Sequence, residues 1–397
     1  MWNKDFVLLA QGQAASCLGD ALYSVIVGLW VYDITGSASM MGLVFSAANL
    51  SRLLFFPFAG VIVDKFRRRD LIVFCDVLRG VLMLIVGFVS TMETTAAVWI
   101  LVFYSAVSGA CSGVFNPSVN TMMLSITKKE NFVRAGSVYN MVEYGVDMIG
   151  QGIAGSLYLF FGAPAMFLFN GVTFLFSAIT ELFISKDEKP KNQEHKPFLQ
   201  EALEGVRYIL GNQGVFCTLL LAFLINFAFG ILKVLLVPWM ARFGAECYGL
   251  LGSFRSAGVV IGTVALAAKN LSNQQRYRVY FWTQIIYVLC VGASSLMSDF
   301  WVIAVLFCVA YANQNIFNSL QRSMVIIATP DHLRGKVICA IQALAMGFSA
   351  LGNLAGGIVS EQSKPEELIL FLMLLVLSGV LLFGRHRSVR DMISDQA

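Results

Sequence analysis

A small set of charged residues interrupts the long apolar stretches of this chain, and in its first half most of them are acids. Asp20, Arg52, Asp76, Arg79, Glu143, Asp147 and Glu181 fall in apolar runs before residue 185; Lys233, Arg255 and Arg322 do so after it. A charge at the centre of a bilayer costs about 3 kcal/mol on insertion scales, so it faces a cavity or a partner. Glu143 and Asp147 are four residues apart, hence on one helical face. Two carboxylates crowded in a low dielectric repel, which suits a site that holds a proton in one state and releases it in another. Asp20 joins them if its helix faces the same cavity. The competing reading pairs these acids with Arg52, Arg79 or Lys233 as structural bridges.

The other intramembrane charges divide similarly. Asp76 and Arg79, three apart, read as a local bridge. Glu181 lies near the end of an apolar run, where solvation or a bridge would satisfy it. Lys233, between Ile231-Leu232 and Val234 to Val237, is the base most enclosed by apolar neighbours. It either faces a cavity or snorkels to a surface, and snorkelling is the expectation for Arg255. Asn313, Gln314, Asn315, Asn318, Gln321 and Arg322 make one apolar run unusually polar. Such amides hydrogen-bond a substrate or hold helices together. Acid in the first half and base in the second would orient a zwitterionic or polar cargo.

The elements that position these residues are membrane helices. Hydrophobic residues make up 57% of the chain and charged residues 13%, with a mean hydropathy of +0.73. Soluble proteins carry about twice that charge. Segments long enough to cross a bilayer recur twelve times, the first from about Phe6 to Tyr32, too long for the apolar core of a signal peptide. Alternate connections collect the basic residues, among them Lys65, Arg67–Arg69, Lys128, Lys129, Arg134, Lys269, Arg276, Arg278, Arg334 and Lys336. By the positive-inside rule these connections and both termini are cytoplasmic.

The fold class expected is an all-α membrane protein of about twelve transmembrane helices in two six-helix bundles. Residues 1–184 form the first bundle, 185–213 a cytoplasmic linker, and 214–397 the second bundle with a short tail. Within the linker, Phe198, Ala202, Leu203, Val206, Ile209 and Leu210 recur at helical spacing, predicting an amphipathic helix on the inner membrane face. Weak internal likeness, such as Val114-Phe-Asn-Pro-Ser against Ile316-Phe-Asn-Ser-Leu, suits parallel repeats with a site near mid-membrane.

Between the second and third runs stands Gly60-Val-Ile-Val-Asp64-Lys65-Phe-Arg67-Arg68-Arg69. It reads as a tight cytoplasmic turn, with Asp64 holding the basic cluster in register near the start of the following helix. This decapeptide resembles the signature loop between the second and third helices of the major facilitator superfamily, a resemblance that extends over essentially the whole chain. The Asp-Lys-Phe-Arg-Arg-Arg variant and the stretch Glu201 to Gly214 are similar to the branch of macrolide-efflux and enterobactin exporters. The resemblance implies export by alternating access, with Gly60, Asp64, Lys65, Arg67, Arg68 and Arg69 as a gating loop. Arg67 stands where the superfamily commonly has glycine. Gly150-Gln-Gly-Ile-Ala-Gly155 lacks the proline of the usual antiporter motif, and no arginine is embedded in the fourth run.

Other chemistries find little support. The Gly150–Gly155 stretch matches a dinucleotide-binding pattern but lies inside a membrane-length apolar run with no strand before it. There is no nucleotide-binding G-x-x-x-x-G-K-[ST] loop. Eight scattered cysteines and three histidines in polar segments give neither a disulfide framework nor a metal site. The net charge of +4 reflects basic loops and does not indicate nucleic-acid binding. The expectation is therefore a secondary active exporter of small amphipathic cargo (drug, siderophore or peptide-like), proton-coupled, monomeric, without cofactor, in a bacterial-type inner membrane. An uncoupled facilitator or lipid-like flippase is the alternative, and a transporter-derived sensor the reading outside transport.

Overall fold

A computed structural model describes residues 3–127, 131–185, 198–269, 271–330, 333–386 and 388–389. Every regular element among them is helical, and local chemistry explains where many of the helices begin and end. The α1 helix (Lys4–Thr35) starts at Asn3, whose side chain accepts from the Phe6 amide at 2.8 Å. It ends at Gly36, in the left-handed conformation at φ 62°, whose N–H closes on Tyr32. Ser37 caps α2 (Ala38–Lys65), and α3 (Arg68–Ser90) follows after two residues. Next come α4 (Thr95–Ile126) and α5 (Phe132–Leu182). The α5 helix contains 51 residues and is broken at Gly162, with φ 74° and ψ 166°, just before Pro164. A side chain at 162 would be strained, so glycine there lets one helix serve as two spans.

The second half runs α6 (Phe198–Gly211), α7 (Gln213–Met240), α8 (Ala245–Ala267), α9 (Asn273–Ser294), α10 (Phe300–Ala328), α11 (Arg334–Ser360) and α12 (Pro365–Gly379). Asn212 caps α7, Asp299 caps α10, and Ser272 with Gln275 makes a reciprocal capping box on α9. Ten of the described helices are long and apolar enough to cross a membrane. Division of α5 at Gly162 makes eleven such segments, and α9, 22 residues long but with Arg276 and Arg278 in its first turns, is the further helix of membrane-spanning length. Large apolar side chains such as Phe74, Phe88, Phe103, Phe160 and Phe371 are exposed along these helices, as lipid-facing surfaces require.

The chain folds as two compact units, Met1–His195 with Phe243–Ser253, and Lys196–Arg242 with Phe254–Ala397. In the first, α1 and α3 pack on α5, and α4 packs on α2 and α3. Gly109 is where α4 meets α2: a Cβ there would overlap the Ala48 carbonyl. Since backbone and not a flexible side chain is in the way, Gly109→Ala should cost about 1–3 kcal/mol, read as a lowered midpoint in thermal unfolding of the purified protein. In the second unit α7 packs on α11, and α9 packs on α10 and α12.

Two expectations change here. The decapeptide 60–69 is mostly helical: α2 continues through Lys65, and only Phe66 and Arg67 turn before α3. Asp64 therefore belongs to the last turn of α2, and Asp70 is the acid in the first turn of α3, where the helix dipole favours it. Second, α6 turns Val206 and Ile209 of its apolar face to protein, while Leu210 is exposed. Ile209 is buried with Val215, Leu219, Val325, Val337 and Ala340, and the Tyr208 hydroxyl donates to the Ala328 carbonyl at 2.7 Å. Glu204 and Lys336 form an ion pair beside it. Residues 186–197, like Lys128, Lys129, His332 and the side chains of Phe198, Ala202, Leu203, Gly60 and Asp64, lie outside the described residues.

Candidate functional site

The first unit gathers the acids singled out from sequence. Gly150 of α5 lies against Ala21 of α1, a close approach that brings Asp20 and Asp147 within electrostatic reach of one another. One turn before Asp20, the Cys17 thiol donates to the Glu143 carbonyl oxygen at 3.4 Å and sits within reach of all three carboxylates, Asp20, Glu143 and Asp147. Each of these acids is half-buried. Asp147 accepts a hydrogen bond from Gln151 Nε2 at 2.7 Å, and Asp20 faces the amide of the fully buried Asn170. The i, i+4 spacing puts Glu143 and Asp147 together, as expected. Cys17, Gln151 and Asn170 carried no signal in sequence that set them apart from other small polar residues in apolar runs.

Arg52 is half-buried on α2, with its stem crossing α4 at Gly113 and no acid beside it among the described residues. It is not brought to the acid group. Asp76 and Arg79 are ion-paired on α3, as their spacing suggested. Glu181 differs from expectation: it is 1% exposed, so it is not solvated. Around the basic turn, Lys65 and Arg67 are exposed, while Arg69 reaches Asp70 at 3.5 Å and donates to the Ile184 carbonyl at 3.2 Å. This ties the start of α3 to the end of α5.

The second unit holds a pocket of about 410 Å³. Its polar lining comes from Thr218 and Asn226 of α7, Asn318, Gln321 and Arg322 of α10, and Gln342 of α11. Leu219, Ala222, Val325, Ile338 and Ile341 supply apolar walls. The α10 amides separate into two sets. Gln314, Asn318 and Arg322 follow one another at four-residue spacing on one face, and buried Gln314 donates to Asn318 at 3.1 Å, orienting it towards the pocket. Gln321 braces the wall by donating to the Thr218 carbonyl at 3.1 Å.

Asn315 instead joins α10 to α8, donating to the Val259 carbonyl and Thr263 Oγ1 at 3.2 and 2.9 Å. Asn313 bonds back to its own helix at Val309. Of the polar candidates on α10, Asn318 and Arg322 line the pocket, Gln314 supports it and Asn313 does not. Asn226 and Gln342, absent from the sequence-based set, complete it.

Lys233 projects from α7 between buried Leu232 and Val234, with its own side chain exposed and within electrostatic reach of Arg255. The Arg255 guanidinium lies over the Tyr311 ring, 4.6 Å from the centroid. Chemically, the first unit offers clustered carboxylates for protons, and the second an amphipathic pocket with one cationic wall.

Comparison with known proteins agrees with this architecture. The profile of the Major Facilitator Superfamily matches residues 9–353. An uncharacterized MFS-type transporter, YfiS of Bacillus subtilis (strain 168), is 22% identical over 373 residues, covering 90% of this chain and 87% of that protein. Macrolide efflux protein A of Streptococcus pyogenes is 21% identical over 233 residues, 57% of this chain and 56% of that one. Among solved structures, a mutant of the nucleoside transporter NupG superposes with a TM-score of 0.78 at 13% identity, covering 95% and 98% of the two chains. A bacterial homologue of the iron transporter ferroportin, in an inward-facing state, gives 0.77 at 15% identity, covering 99% and 100%.

Proposed function

Since this chain belongs to the Major Facilitator Superfamily, we propose that it is a secondary active exporter of small amphipathic molecules, working by alternating access and driven by protons. The observation that carries this reading is the pocket of the second unit. Its amides and Arg322 offer polar anchoring, and its leucine, isoleucine and valine walls offer apolar area, the combination that small-molecule sites use. A drug-type cargo draws support from the relative named for macrolide efflux. Proton coupling draws support from the Asp20, Glu143 and Asp147 group, all three within electrostatic reach of Cys17. The alternation of basic connections supports a reading with both termini in the cytoplasm, in a bacterial-type inner membrane.

Arg322 is the residue whose loss should weaken cargo binding most. A hydrogen bond to a charged group contributes about 1.5–3 kcal/mol. At about 1.4 kcal/mol per factor of ten, Arg322→Gln should raise the apparent KM roughly 10- to 100-fold for a cargo with a strong acceptor group. The exposed position of Arg322 leaves the fold intact. The measurement is flux of a panel of macrolides, siderophores and dipeptides in proteoliposomes, wild type against the variant. Unchanged KM for every transported compound would remove the pocket from the transport path.

A further inference from the structure

We infer that Asp76, Arg79 and Glu181 form a buried proton-binding site inside the first unit, with Glu181 carrying the proton. This deepens the proton-coupled reading but concerns residues other than Glu143 and Asp147, with Asp20 in reach of both groups, and its test requires no transport. The residues are 0%, 5% and 1% exposed, respectively. Arg79 is fully engaged: it is ion-paired with Asp76, its Nε donates to the Cys75 carbonyl at 3.4 Å, and its guanidinium lies over Phe115 and Phe174, 4.7 and 4.4 Å from their centroids. Its single positive charge can balance one carboxylate, and Asp76 is the one ion-paired with it.

Glu181 enters the same interior from α5, against Gly12 of α1. Ser177 donates to its Oε1 at 3.4 Å, whereas its buried Oε2 has no hydrogen-bond partner among the described residues. Asp76 Oδ2 is likewise buried and without a hydrogen bond among the described residues; Ser177, whose single hydrogen goes to Glu181, is the hydroxyl beside it. Two buried acceptor oxygens without a donor define what is missing, namely a hydrogen that belongs to one of them. An ionised carboxylate buried without its own cation costs several kcal/mol, whereas the neutral acid avoids most of that cost and supplies an O–H donor.

Among the described residues, Arg79 is the one cation that acts on Asp76 and Glu181. Facing the cluster are Asp20 from α1, Cys75 from α3, Tyr104 and Cys111 from α4, and Tyr139 and Ser177 from α5. Three carboxylates, Asp20, Asp76 and Glu181, thus share one guanidinium. Tyr139 lies within reach of Glu143, Glu181 and Asp76, so a phenol stands between the two acid groups.

Infrared spectroscopy of the full-length protein in bilayers at neutral pH tests the assignment, because a protonated carboxyl has a carbonyl stretch that an ionised one lacks. Carbon-13 labelling of glutamate should move that band, Glu143→Gln should leave it, and Glu181→Gln should remove it, one carboxyl per chain. No glutamate-derived band at neutral pH, or a band that vanishes in Glu143→Gln or survives in Glu181→Gln, would overturn the proposal. Should Glu181→Gln not fold, labelled Glu143→Gln still decides, since the other glutamates of the spans, Glu246, Glu366 and Glu367, lie in the first turns of α8 and α12, and only 143 and 181 lie further in. A positive result in a protein that fails to move any cargo would leave the proton site standing and remove only the transport reading.

Discussion

Arg79→Leu should destabilise the first unit by about 3–5 kcal/mol, the usual consequence of removing one partner of a buried ion pair. The substitution strands the Asp76 carboxylate at 0% exposure and takes the guanidinium from between two aromatic rings. Lysine is a poor replacement, because the stacked position and the Nε bond to Cys75 both need a planar group. Arg79→Lys should therefore lose part of the same stability. The double variant Arg79→Leu with Asp76→Leu removes both charges and should recover most of the loss. Thermal unfolding of the purified variants checks this. Equal midpoints for wild type and Arg79→Leu would show that the pair is not buried as described.

Glu143→Gln and Asp147→Asn should each abolish concentrative transport while leaving exchange of cargo across the membrane. Each substitution keeps size and hydrogen-bonding capacity but cannot bind and release a proton. One unit of pH difference supplies about 1.4 kcal/mol per proton, enough for roughly a tenfold concentration ratio in a one-for-one exchange. A variant that has lost the coupling proton reaches a ratio of about one at any pH difference. Exchange at wild-type rate, measured with labelled cargo on both sides, separates uncoupling from misfolding. If both variants concentrate cargo as well as wild type, the pair is structural and coupling lies elsewhere, with Asp20 the next residue to change.

The spans and the pairing of Glu143 with Asp147 were legible because they follow from local pattern: apolar length and four-residue spacing. The division of labour along α10 was legible only in part. Gln314, Asn318 and Arg322 share a face by spacing, and Asn315 sits about 100° round the helix. Which face meets the pocket and which meets α8 depends on neighbours that no local pattern names.

Glu181 illustrates the remaining difficulty. Its position near the end of an apolar run suggested solvent, but Gly12 of α1 lets the two helices close over it. Burial of that kind is a property of helix packing. The α6 helix teaches the same point from the other direction: its amphipathic spacing was clear, but spacing does not distinguish lipid from the protein surface that covers Ile209. Asp70, displaced by only six residues from the acid chosen by motif, became the first-turn carboxylate because α2 runs two residues further than its apolar pattern.

The most direct test of proton-driven export is flux in proteoliposomes containing the wild-type protein, with a macrolide as cargo and an imposed pH difference. The account predicts that cargo accumulates against its own gradient, that protons move in the opposite direction, and that a protonophore collapses the accumulation. Movement at the same rate with and without the pH difference, never exceeding equal concentrations on the two sides, would contradict it and identify a facilitator.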